Sequence, residues 1–168
     1  MGKNRNKDLI YLIRFLVYFL IFYAVLKGIE DHLSLILALI LAYLTDSYYN
    51  ANTIVIKSTV ISVSAPCTCS LEMALFLGYI FGTPDVPIKY KVIYALFGLF
   101  IINMSNIIRM IIIAKYSYML NYKLIHDVVS FIIFPVALIL NLMWIKILIK
   151  LNVIKNSKGA MYDKKANI

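Results

Sequence analysis

The chain has 168 residues, one domain by length, and 62% of it is hydrophobic, with a mean hydropathy of +0.86. That excludes an ordinary water-soluble fold and predicts several bilayer-crossing helices, each needing about 20 apolar residues. The net charge of +9 sits at the termini and in short loops, as around membrane helices, and no aromatic–basic interleaving of the kind that binds nucleic acid is present.

Residues 1–8 form a polar leader with Lys3, Arg5 and Lys7. A first membrane helix is expected over residues 9–26, with Arg14 one turn inside it and able to snorkel. The run lacks a small-x-small cleavage site, so it reads as a mature helix rather than a signal peptide. Lys27 to His32 is a charged loop. A second helix follows over 33–49, aliphatic at first and polar at Thr45-Asp46-Ser47, and barely long enough to span.

The texture changes at 52–64, where β-branched residues alternate in part and predict a β-hairpin turning near Lys57-Ser58. Open strand edges cannot face lipid, so this piece belongs outside the hydrocarbon. Pro66 ends it, and the polar break Cys67-Thr68-Cys69-Ser70 follows. Ser70 is expected to cap a third helix over 71–83, with Glu72 in its first turn. Beyond the rigid loop Thr83-Pro84-Asp85-Val86-Pro87 come Lys89, Lys91 and a fourth helix over 92–118. His126-Asp127 opens a last helix over 128–149, kinked at Pro135. Residues 151–168 are a polar, lysine-rich tail, read as disordered. No internal repeat is visible. The predicted class is an all-α integral membrane protein: about five membrane helices in one domain over 1–150, with a short β-hairpin-like segment before the cysteines.

Three places need a chemical explanation. Arg109 stands mid-helix, where an arginine costs about 2.5–3.5 kcal/mol on insertion scales. Asn106 is one turn earlier on the same face and Asn103 extends it, so this stripe faces protein or water. The plain alternative is a helix-packing bond or a snorkelling arginine. The Asn103-Met-Ser105 sequon carries no meaning inside a membrane helix.

Cys67 lies just before a helix start, where the dipole favours thiolate; otherwise it is a small buried hydrophobe. Cys67 and Cys69 are the only cysteines. A Cys-x-Cys pair is strained as a disulfide and too few ligands for a metal site, so neither metal nor cofactor is expected. His126 can act as acid or base near neutral pH; Asp127 can equally be a helix-start carboxylate.

Helix counting brings these places together. The third helix crosses from Cys67 to the lysine loop, and Arg109 lies about 18 residues past that loop. At about 1.5 Å per residue this is roughly 27 Å, back at the face of Cys67, and His126 follows the exit of that helix. Nucleophile, cation and imidazole on one face suggest covalent catalysis, with the arginine stabilising an oxyanion or the thiolate.

The order Cys67-Thr68 before an apolar helix, Asn106-Ile-Ile-Arg109 within a later one, and His126 opening the last resembles the exosortase/archaeosortase family of membrane cysteine transpeptidases, over residues 33–150. The resemblance implies a Cys, Arg, His site at the outer face of the cell membrane, in a multi-pass protein. Such a site cleaves a C-terminal signal of secreted proteins, made of a short motif, a transmembrane helix and a basic tail, and hands the protein to an acceptor, often a lipid. Carried over, Cys67 is the nucleophile forming a thioacyl enzyme, Arg109 stabilises charge, and His126 is the acid/base. Asn106 orients Arg109, with Thr68 and Asp127 in support.

The family usually has glycine two residues after the cysteine. Here that residue is Cys69, the alternative nucleophile; Cys67 keeps the family spacing to Met73-Ala74. The chain is short beside many members, so their extra N-terminal helices are not expected in it. With the site outside, Lys89, Lys91 and the tail fall inside as the positive-inside rule asks. Counting back across two helices then puts the basic N-terminus outside. Either the tail dominates, or the second helix is re-entrant or interfacial. The reading from another class is a non-enzymatic scaffold or small transporter, with Arg109 and Asn106 as packing or pathway residues.

Overall fold

The computed structural model describes the backbone of residues 2–56, 59–116 and 133–151. The elements are α1 (Gly2–Gly28), α2 (Glu30–Thr45), β1 (Tyr48–Asn50), β2 (Thr53–Ile56), β3 (Thr59–Ser62), a 3-10 turn (Ala65–Thr68), α3 (Ser70–Gly82), α4 (Ile88–Tyr116) and α5 (Ile133–Lys150). The protein is predominantly helical with one small antiparallel sheet, as expected. Among the described residues, Leu9–Gly28 of α1, all of α4 and all of α5 are long and apolar enough to cross a bilayer, and α3 is a shorter apolar helix. The expected turn at Lys57-Ser58, the His126-Asp127 pair, the start of the last expected helix and the tail from residue 152 lie outside the described residues.

α1 and α3 lie antiparallel in close contact. The sequence reason is Gly78-Tyr-Ile-Phe-Gly82, a small-xxx-small spacing that lets two backbones approach. A side chain at Gly78 would meet the Phe19 backbone at 3.0 Å, and one at Gly82 would meet Phe15 Cα at 3.0 Å. At this end of α3 the Lys91 ammonium donates to the carbonyls of Phe81 (2.9 Å) and Thr83 (2.6 Å), capping carbonyls that the helix leaves unpaired. Trp144 Nε1 donates to Thr83 Oγ1 (3.1 Å) and the Tyr94 hydroxyl to the Leu140 carbonyl (2.7 Å). α5 thus brings its C-terminal half, with Lys146 and Lys150, to the start of α4. Arg14 also lies near Lys91. Among the described residues, Arg14, Lys89, Lys91, Lys146 and Lys150 gather at one end of this bundle.

α2 stops at Thr45. Asp46 is left-handed (φ 50°), and the Thr45 hydroxyl bonds back to the Leu41 carbonyl at 2.6 Å. Tyr48 and Tyr49, assigned above to the tail of a helix over 33–49, belong to β1 instead, as their β preference allows. The β2–β3 hairpin is the one expected, with Ile54 opposite Ile61 and Ile56 opposite Thr59. β1 adds a third strand. Asn52 ties the base of the hairpin: its carbonyl accepts from Val63 N (2.7 Å) and its Nδ2 donates to the Val63 carbonyl (3.3 Å).

Two apolar cores result. One, in the helical bundle, gathers Phe76, Ile80, Tyr94, Ile102, Ala137 and Trp144 from α3, α4 and α5. The other gathers Leu37, Leu41, Ile54, Val63, Met110 and Ile113 from α2, the sheet, the residue just after it and the end of α4. The second forms a cap at the end of the bundle opposite Lys91, and the cysteine turn lies where cap and bundle meet.

Candidate active site at the cysteine turn

The turn is built locally. Ser64 is extended, Pro66 sits in the first turn of the 3-10 segment, where its missing N–H costs nothing, and Cys67 N donates to the Ser64 carbonyl at 2.8 Å. Cys69 then adopts φ 55°, ψ 30°, a left-handed conformation that favours glycine. It reverses the chain into α3, whose first residue is Ser70. Ser70 is therefore not the cap expected above. Cys69 holds the cap position and makes no side-chain cap bond, while the Ser70 hydroxyl lies 2.6 Å from that of Thr68. Glu72 is in the first turn of α3 as expected.

The left-handed residue sends the two thiols to different cores. Cys67 (5% exposed) belongs to the cap cluster and Cys69 (2% exposed) to the bundle cluster. Both are free thiols. Cys67 Sγ lies 3.9 Å from Ser64 Oγ.

α4 brings the predicted polar stripe to this turn. Asn106 Nδ2 donates to the Cys67 carbonyl at 2.7 Å. Arg109, three residues on, aims Nη1 at Cys69 Sγ and Nη2 at Met110 Sδ, both at 3.9 Å. Both residues are buried, at 1% and 5% exposure. Asn103 is exposed, yet its Nδ2 reaches Met73 Sδ of α3 at 3.5 Å as well as donating to the Leu99 carbonyl on its own helix at 2.8 Å. Steps of three fall short of a full turn by about 60° each at 3.6 residues per turn, so Asn103 lies away from the cysteine turn while still touching α3. Asn106 makes its bond to the cysteine turn, and among the described residues its Oδ1 and the Arg109 Nε have no hydrogen-bond partner. A buried guanidinium facing two sulfurs, with its Nε unpartnered among the described residues, is placed to receive negative charge.

Burial pushes the Cys69 thiol up to about 12; Arg109 pulls the other way and Glu72 adds to the rise. Cys69 is therefore held as a neutral thiol. A cavity of about 270 Å³ opens beside it, walled by Tyr23, Lys27, Glu30, Ser70 and Glu72. Glu30 was not among the expected site residues, yet Thr68 Oγ1 donates to its Oε1 at 3.3 Å and Lys27 Nζ donates to its Oε2 at 2.5 Å. The signal available in sequence was the Lys27/Glu30 spacing of three; nothing local tied it to Thr68. The structure thus brings together Cys67, Thr68, Cys69, Asn106 and Arg109, and adds Ser64, Ser70, Glu30 and Lys27.

A membrane helical bundle with a buried cysteine–arginine seam at one end defines a membrane protein whose candidate chemistry is that of a thiol. The chain is 55% identical over 143 residues to the probable archaeosortase D of Methanocaldococcus jannaschii, a match covering 85% of this chain and 93% of that protein. No family model matches the chain, and no solved structure does. The chain belongs to the archaeosortase family of membrane-associated protein-sorting transpeptidases.

Proposed function

We propose that this protein is a membrane-embedded cysteine transpeptidase/protease with Cys67 as nucleophile. It cleaves C-terminal sorting signals of secreted proteins at the outer membrane face and passes the shortened chain to an acceptor, a lipid. The observation that carries this reading is the Asn106–Cys67 bond. It joins two parts of the family pattern that lie 39 residues apart, and it brings Arg109 to the same turn.

In the proposed reaction the Cys67 thiol gives its proton to His126 and attacks the scissile carbonyl. The C–N bond breaks, the leaving amine takes that proton, and a thioester remains. The acceptor nucleophile attacks the thioester, loses its proton to His126 and frees the Cys67 sulfur, which His126 reprotonates. Arg109 stabilises the oxyanion in both halves. One feature supports Cys67 over Cys69: the family's usual glycine falls at Cys69, whose backbone has the conformation glycine favours. The Arg109–Cys69 contact favours the other choice, with Arg109 lowering the cost of a thiolate there.

The outward-facing site draws support from charge. Arg14, Lys89, Lys91, Lys146 and Lys150 gather at the end away from the cysteine turn, which suits a cytoplasmic end. α2 and the sheet form the cap and are read as interfacial rather than crossing, so α1 runs outward from a basic, cytoplasmic N-terminus. The conflict met in counting α2 as a crossing then disappears.

Cys67→Ala, Arg109→Ala and His126→Ala should each leave a co-expressed secreted substrate unprocessed while the protein still inserts. Continued processing by Cys67→Ala would remove Cys67 from the nucleophile's role.

A further inference from the structure

We propose that Glu30 is a positioning residue of the reactive turn: from the α1–α2 corner, its carboxylate holds the hydroxyls of Thr68 and Ser70 and so fixes the segment carrying both thiols. The assignment deepens the reading above and rests on this turn being the reactive element.

Glu30 is 8% exposed, deep for a carboxylate, and a buried charge is retained where it is paired and hydrogen-bonded. Its oxygens divide the work. Oε2 takes the Lys27 ammonium at 2.5 Å, across the one-residue break between α1 and α2. Oε1 accepts from Thr68 Oγ1, 38 residues away in sequence, at 3.3 Å. Thr68 Oγ1 and Ser70 Oγ are 2.6 Å apart, so the two hydroxyls flanking Cys69 are gathered on one side of the turn. Lys27, Ser70 and Thr68 together hold the Glu30 carboxyl below its usual range, against the opposing effect of burial.

Among the described residues, the main chain of the turn is anchored by Cys67 N to the Ser64 carbonyl, by Met73 N to the Cys69 carbonyl and by Asn106 to the Cys67 carbonyl. Cys69 sits left-handed without a cap bond from its side chain. Asn106 thus holds the backbone from α4, and Glu30 holds the side chains from the opposite flank. Glu30 acts through the turn rather than on the reacting atoms.

The test uses the full chain in lipid nanodiscs, with N-ethylmaleimide labelling of Cys67 and Cys69 resolved by fragment mass spectrometry. It needs no substrate, so it stands whether or not processing is observed. Glu30→Ala should speed labelling of the turn by about tenfold or more, the effect of losing a buried hydrogen bond that limits local opening. Lys27→Met, which leaves the carboxylate on the hydroxyls, should stay within about threefold of the parent. Thr68→Val combined with Ser70→Ala should match Glu30→Ala, and adding Glu30→Ala to that pair should change little. Should Glu30→Ala fail to fold, the hydroxyl pair alone decides: faster labelling supports the assignment, and labelling at the parent rate overturns it. The assignment also fails if Lys27→Met speeds labelling as much as Glu30→Ala, since Glu30 would then serve only the helix corner. Loss of processing with labelling unchanged would count against Glu30 as a positioning residue but not against the transpeptidase reading.

Discussion

Bundle and cap are held together differently, and the cysteine turn belongs to both. The bundle core is aromatic and bulky: Phe76, Tyr94 and Trp144 interlock, with the Tyr94 and Trp144 rings 4.9 Å apart. Glycine backbones contact α1 on one side, and side-chain hydrogen bonds close the far end. The cap core is small and aliphatic, with Leu37, Ala38, Leu41 and Ala42 of α2 lying on Ile54 and Val63. Two thiols only two residues apart are divided between these cores because Cys69 reverses the chain at a left-handed residue. A perturbation of one core should therefore reach one thiol before the other.

The largest expected effects test that division directly. Phe76→Ala and Leu41→Ala each empty a filled site and should each cost about 3 kcal/mol, but at different places. Phe76→Ala should lower the melting temperature of the whole protein in detergent and expose Cys69 to alkylation first. Leu41→Ala should expose Cys67 first, with a smaller shift of the main transition, because the cap can open locally. Identical labelling patterns from the two variants would mean that cap and bundle form one cooperative unit. A smaller effect is expected at the seam. Asn106→Ala leaves the buried Cys67 carbonyl without its donor, a loss of about 1–3 kcal/mol. It should reduce processing by way of the turn while leaving α4 helical by circular dichroism. A variant that loses stability yet processes at the parent rate would make Asn106 a packing residue only.

The bundle was the legible half. Long apolar runs mark α1, α4 and α5 whatever they pack against, and an arginine in such a run signals a buried partner without knowledge of the fold. The cap was not legible in the same way. α2 reads as a marginal span because hydropathy registers that Leu35, Ile36, Leu39 and Ile40 are apolar. It does not register that the stripe from Leu37 to Ala42 is covered by a sheet while those four are not. On the proposal that α2 is interfacial, the basic N-terminus no longer conflicts with the positive-inside rule. Within the site, Asn106 and Arg109 were visible as a helical stripe, but their partners are carbonyl and thiol groups about 40 residues upstream, set by tertiary approach. Glu30 escaped for the same reason: a carboxylate next to a lysine looks like an ordinary surface pair until Thr68 arrives from the other side.

The smallest expected effect bears most sharply on which thiol reacts. Cys69→Gly places at φ 55° the residue that conformation favours, relieving backbone strain, and it removes a small buried side chain from the bundle core. These contributions oppose each other, so stability should change by no more than about 1 kcal/mol. The substitution also takes away the sulfur that Arg109 faces and leaves Cys67, its Asn106 bond and the Glu30 side of the turn in place. If Arg109 serves the oxyanion formed at Cys67, processing and alkylation of Cys67 should both persist, with the guanidinium freed from a competing neighbour. If Cys69 is the nucleophile, processing should disappear while the protein melts as before. Because fold and insertion are conserved in either case, the loss or survival of processing reads the chemistry alone and assigns it to the cap thiol or to the bundle thiol.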